Sequence, residues 1–241
     1  MGRNNNMEAG SDAYWLASRT AEILEKDLGN NKKSLPDILY SAMSILKSEW
    51  VGNETEMPSC GISIFRINED KIEYFGLGDC YASAVFNNGE FLKWIEKDLT
   101  ILDEKALSEM CYLSKTKGIS MVDARKEISD ILAKHRNMRN REGGYWCLDP
   151  SGTGISHGRQ AVFSAEDCKS LFLCSDGFYQ LVGFNYFNDL RELHQAAEKK
   201  SLECLMNTLF SLQEQDYEMT KLPRFKFRDD SSAIIGKIRR I

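Results

Sequence analysis

Three aspartates, Asp79, Asp176 and Asp229, stand where apolar, strand-like runs meet polar turns. The run 171–174 stops at Ser175, Asp176 and Gly177, so Asp176 is expected on a strand's rim with a glycine behind it to let the chain turn. Near the C-terminus the order is reversed, and Asp229, Asp230, Ser231 and Ser232 lead into the apolar run 233–238. If the two runs are antiparallel neighbours, the end of one lies beside the start of the other, and Asp176 meets Asp229 and Asp230. Asp79 interrupts a further strand pattern at Gly78-Asp79-Cys80. Alone, Asp176-Gly177 is an ordinary turn; gathered on one rim, such carboxylates offer the hard oxygen donors that suit Mg²⁺ or Mn²⁺. No cluster of Cys or His competes with them: His135, His157 and His194 are scattered and read as surface or helix-end residues.

The elements that must position these acids follow from periodicity. Ser11 caps a first helix whose stripe is Ala13, Ala17, Ala21, Leu24 and Leu28, ended by Gly29. Ser34, with Pro36 and Asp37 behind it, starts a second, with Leu35, Leu39, Ala42, Leu46 and Trp50 as its stripe and Ile38 and Ile45 widening it. The pair is expected to pack on a sheet. From residue 60 to 94 the pattern predicts an antiparallel meander, with turns at 68–70 and at Asn87-Asn88-Gly89 and with Asp79 at a bend on its edge. Residues 98–137 switch to two helices separated by Gly118 and capped anew by Ser120. Residues 145–148 and, less clearly, 155–163 read as strands. Residues 188–198 and 201–212 read as helices, and 213–227 as a charged, solvated connector containing Lys221, Arg224 and Lys226.

The 241 residues, 42% of them hydrophobic, suffice for one core, and a single domain over 1–241 is expected, with a helical segment at 98–143 inside it. A net charge of −5 argues against a broad nucleic-acid footprint. Seven cysteines without a CxxC pair suit a reducing cytoplasm, and no run is long enough to span a bilayer.

Gly78-Asp79-Cys80, Ser175-Asp176-Gly177 and Asp229-Asp230-Ser231-Ser232 resemble, in order and in strand context, three motifs of the metal-dependent protein phosphatases of type 2C. Ser11-Asp12-Ala13 with Trp15, and Gly143-Gly144-Tyr145-Trp146, resemble segments of bacterial members, so the likeness spans nearly the whole chain. The resemblance implies an α+β fold, a four-layer α-β-β-α sandwich of mostly antiparallel sheets flanked by helix pairs. It also implies two Mg²⁺ or Mn²⁺ ions, and hydrolysis of phosphoserine and phosphothreonine in a phosphorylated protein partner. Asp176 and Asp229 would be metal ligands, with Asp79 at a weaker position. The family's first Asp-Gly, whose acid bridges both metals and whose glycine carbonyl is a further ligand, falls at Met1-Gly2, which keeps the Gly2 carbonyl but not the acid. Two readings therefore stay open: a phosphatase with impaired activity, or a phosphatase relative without turnover that serves as a binding or regulatory module. The resemblance also implies two strands ahead of the first helix, and their loss would leave a sheet edge for a partner strand or a homodimer.

Overall fold

The computed structural model describes residues 11–239. The fold is α+β with two antiparallel sheets, and the chain divides into two compact units, one formed by residues up to Gly78 with Tyr145–Glu166, the other by Asp79–Gly144 with Asp167–Ile241.

In the first unit, α1 (Asp12–Asp27) begins at Ser11, whose Oγ accepts the Tyr14 N–H at 3.2 Å. Its buried face is Trp15, Leu16, Thr20 and Leu24, whereas Ala13, Ala17 and Ala21 face solvent. The expected alanine stripe is thus rotated, because covering an indole and a leucine removes far more apolar area from water than covering three methyl groups. In α2 (Leu35–Glu49), Ser34 Oγ accepts the Asp37 N–H and donates to its carboxylate at 2.6 Å. Leu35, Leu39, Ala42 and Leu46 are buried as expected, together with Ile38 and Met43, while Ile45 is exposed. Trp15 and Trp50 meet with ring centroids 5.7 Å apart, and both helices share one core with Phe75 and Leu77 of the sheet.

That sheet has the order β1 (Ile62–Asn68), β2 (Lys71–Leu77), β5 (Arg159–Ser164). Residues 145–148 do not form the expected strand but contribute an isolated bridge in which Cys60 and Leu148 exchange N–H···O bonds of 2.9 and 3.0 Å. Residues 153–157 are a 3₁₀ turn, so the strand expected from 155 starts only at Arg159.

The meander expected over 60–94 is also corrected: β2 ends one sheet, and β3 (Tyr81–Phe86) and β4 (Phe91–Trp94) belong to the other. The switch occurs at Gly78, whose φ of +79° turns the chain out of the strand. A Cβ there would lie 2.7 Å from the Gly61 Cα.

In the second unit the order is β4-β3-β6-β7, all antiparallel, with β6 (Cys168–Cys174) and β7 (Ala233–Lys237). Gly89, at φ +86°, turns the β3–β4 hairpin as expected. α3 (Asp98–Lys117) ends at left-handed Gly118. The second helix expected in this segment divides at Ile128 into α4 (Met121–Glu127) and α5 (Ser129–Asn137). α6 (Asp176–Gly183), α7 (Leu190–Lys199) and α8 (Leu202–Gln215) pack Phe178, Leu181, Leu190, Leu193, Leu205 and Leu209 into one core with Phe172 of β6.

Two polar residues expected at the surface are buried here. His194 of α7 bridges the sheet, with its Nδ1 2.8 Å from Ser83 Oγ and its Nε2 2.9 Å from Ser170 Oγ. Arg224 pins the connector after α8: its guanidinium reaches Asp216 Oδ2 at 3.2 Å and donates to the carbonyls of Gln213, Asp216, Leu222 and Phe227. The solvated loop expected over 213–227 is therefore an anchored segment, because a buried guanidinium must find an acceptor for each donor. Among the described residues, no helix is long and apolar enough to cross a membrane.

Candidate functional site

β6 delivers its acid by a change of structure at a single residue. The strand ends at Cys174, and Ser175 caps α6, so Asp176 becomes the first helical residue, where its Oδ1 accepts the Gly177 N–H at 2.8 Å. β7 lies antiparallel with Ala233 opposite Cys174, which carries the preceding residues 229–232 past the start of α6. Ser175 fastens this crossing. Its N–H donates to Ser232 O at 3.0 Å, and its Oγ accepts the Ser232 N–H at 3.1 Å and donates to Asp230 O at 3.2 Å. The approach is closest at Gly177, where a Cβ would stand 2.4 Å from Asp230 O. On the other side of β6, Tyr81 of β3 pairs with Cys174, so Asp79, two residues earlier, reaches the same rim.

The charges of the three aspartates, all within the second unit, bear on one another. The Asp176 carboxyl is pushed up to about 7, first by crowding against surrounding protein, although part of it meets solvent, and then by the charges of Asp79 and Asp229. The Gly177 N–H and Lys226 oppose this rise. Asp79 is raised by burial, against a bond from its own N–H, and further by Asp229 and Glu96. Asp103, on α3, joins the group: crowding by surrounding protein, although its surface is exposed, and then the charges of Asp79 and Asp229 push it up to about 6. Tyr81, stacked on Tyr179 at 3.7 Å, is likewise raised, chiefly by burial, with Asp176 and Asp79 adding to the effect.

Asp103 and Glu96 carry no mark in the sequence, since each is one acid among many in a polar stretch, and only the placement of α3 selects them. Lys226 donates to Asp229 Oδ1 at 2.7 Å and was hidden in a basic run. Gly2 lies outside the described residues.

Mutually repelling oxygen donors on a solvent-accessible rim match in kind what a hard divalent cation requires. In arrangement they fall short. Among the described residues no three carboxylate, imidazole or thiol groups come close enough together to hold one ion, and the Asp229 carboxylate is already engaged by an ammonium.

No family model matches the sequence, and no curated protein matches it. Among solved structures, the chain is similar to the serine/threonine phosphatase Stp1 from Staphylococcus aureus, at 13% identity and a TM-score of 0.46 over 93% of this chain and 77% of that one. It is also similar to a bacterial serine phosphatase, at 15% identity and a TM-score of 0.40 over 85% of this chain and 66% of that one. Likeness of this degree transfers no residue role and no reaction.

Proposed function

We propose that the acidic rim of the second unit binds Mg²⁺ or Mn²⁺ through Asp176 and Asp229, with Asp79 and Asp103 at its margin, and serves hydrolysis of phosphoserine or phosphothreonine in a protein substrate. The observation that carries this reading is the strand register that sets both Tyr81 and Ala233 opposite Cys174 and so brings the stretches of Asp79, Asp176 and Asp229 to one end of the sheet, where Asp229 raises both other acids and Asp79 raises Asp176. The same three stretches carry the sequence resemblance to the type 2C phosphatases. A bound divalent ion would supply Lewis acidity, activating water and offsetting the charge of the phosphoryl group. The chain's own part is to hold carboxylates together at a cost in repulsion, on a backbone crossing fixed by Ser175, so that cation binding relieves strain already present. By resemblance, two ions would be bound. A reducing, cytoplasmic setting suits buried cysteine thiols such as Cys168 and Cys174.

A second reading, a phosphatase-fold binding or regulatory module without turnover, is favoured by the absence of a three-donor group among the described residues. Calorimetric titration with MnCl₂, paired with phosphate release from a phosphothreonine peptide, separates the two. The first reading expects Mn²⁺ binding and Mn²⁺-dependent release, with Asp176→Ala lowering release by at least about 100-fold, the upper range for disturbing metal sites indirectly. Release that survives chelation or the Asp176→Ala change would refute it. Mn²⁺ binding without release would establish the second.

A further inference from the structure

The first unit leaves a strand edge and a helix flank uncovered side by side. β1 stands at the end of its sheet, with β2 as its one strand neighbour among the described residues. Between it and α1 runs a groove of about 400 Å³, lined by Ala17, Thr20, Ala21 and Leu24 of the helix and by Ile62 and Ile64 of the strand. Thr20 is 4% exposed, and its Oγ1 is buried in this lining without a hydrogen-bond partner. Buried hydroxyls are normally satisfied, so the groove lacks a polar group that an occupant can bring.

The edge is also unguarded. Exposed lysines, Lys93 on β4 and Lys237 on β7, stand on the two edge strands of the other sheet, a common device against strand-to-strand association. β1 has seven residues without a lysine, a proline or a break in register, and its one charge, Arg66, is buried against Glu73. What covers such a place must bring a strand for the edge and a surface for the flank of α1, where Ala17 and Ala21 are exposed, with exposed Tyr14 one turn earlier. An extended peptide supplies the first and leaves the helix flank in water. A second copy supplies both. An antiparallel edge is complementary to itself about a two-fold axis, and every pairing in this sheet is already antiparallel. Small side chains let an identical helix approach closely. We propose that β1 pairs antiparallel with β1 of a second copy of this chain, and that the two α1 helices pack across the same two-fold axis through Ala17 and Ala21.

Sedimentation equilibrium of the full chain between about 1 and about 200 µM, a range covering moderate affinities, should show the mass rising from one chain to two. Hydrogen exchange should show β1 amides gaining protection over the same range. Ala21→Glu keeps a good helix former at an exposed site but sets like charges close together across the axis, and should weaken the dimer at least about 100-fold. Ala17→Glu should do the same. Ser44→Glu, the same charge at an exposed site on α2 outside the groove, should leave the dimer unchanged. Circular dichroism checks that all three variants fold. A single-chain mass at every concentration would overturn the proposal, and β1 amides protected in that monomer would assign the edge to a segment of the chain itself. A dimer indifferent to both alanine changes, or one whose β1 amides exchange as freely as the monomer's, would place the interface elsewhere and overturn it equally.

Discussion

Replacing His194 with leucine tests the polar bridge beneath the acidic rim. The Ser170 hydroxyl has one proton, and it goes to Glu198 Oε1 at 2.7 Å, so toward His194 Nε2 this oxygen can only accept. Nε2 therefore carries the ring proton, and bare Nδ1 accepts from Ser83 Oγ. Leucine fills nearly the same space but leaves the Ser83 hydroxyl buried without its partner, while Ser170 keeps Glu198; the expected loss is about 1–3 kcal/mol at pH 7. Adding Ser83→Ala should recover about 1 kcal/mol of it, because removing both partners is far less costly than orphaning one.

The pH dependence gives a sharper reading. Burial lowers His194 to about 4, against a raising influence from Glu198 and a further lowering one from Lys169. The rings of Phe91 and Phe172 complete its surroundings. Between pH 6.5 and about 4 the unfolded chain binds a proton that the folded protein refuses, so stability falls as pH falls through this window, by about 3 kcal/mol in all. Asp176 and Asp103, with raised carboxyls, act in the opposite sense over overlapping pH values, but they do so in both proteins and cancel in the difference. Urea unfolding at pH 7, 5.5 and 4.5 should therefore show the advantage of the parent over His194→Leu shrinking steadily and vanishing near the acid end. A difference that stays constant with pH would refute the assignment of a neutral, proton-refusing imidazole.

Two further changes probe the rim and its support. Gly177→Ala drives a methyl group into Asp230 O, and if the proposed cation-binding reading holds, calorimetry should show Mn²⁺ affinity reduced more than about tenfold with helix content by circular dichroism retained, as for other disturbances of the shell around a metal site. Arg224→Met strands the buried Asp216 carboxylate and should cost about 3–5 kcal/mol in thermal melts, whereas Arg228→Met, which breaks a more exposed pair with Glu214, should cost less than about 1 kcal/mol.

The strand ends beside Asp176 and Asp229 were legible in the sequence because their information is local: an apolar run, an acid and a glycine mark where β6 ends, and the reversed order marks where β7 begins. Helix caps at Ser11, Ser34 and Ser120 were legible for the same reason. The division into two sheets was not, since β2 and β3 have the same alternation whether or not they pair, and only the left-handed turn at Gly78 separates them. Nor was the face of α1, where the size of Trp15 and Leu16 overrides alanine spacing. The burial of His194 depends on partners that the sequence does not bring near, since Ser83 precedes it by 111 positions, whereas the partners of Arg224 are nearby in the chain but are mostly backbone carbonyls, which no residue type marks. Asp103 became part of the site only through the placement of α3.

The hydroxyl of Ser175 serves two masters, since it caps α6 and clasps the backbone ahead of β7. A slip of β7 by one residue would strip the helix of its clasp at the same moment that it turned the strand's side chains over. Helix start, strand alignment and the spacing of Asp176 from Asp229 thus succeed or fail together. The chain cannot drift gradually toward a looser acidic rim by small changes in that strand.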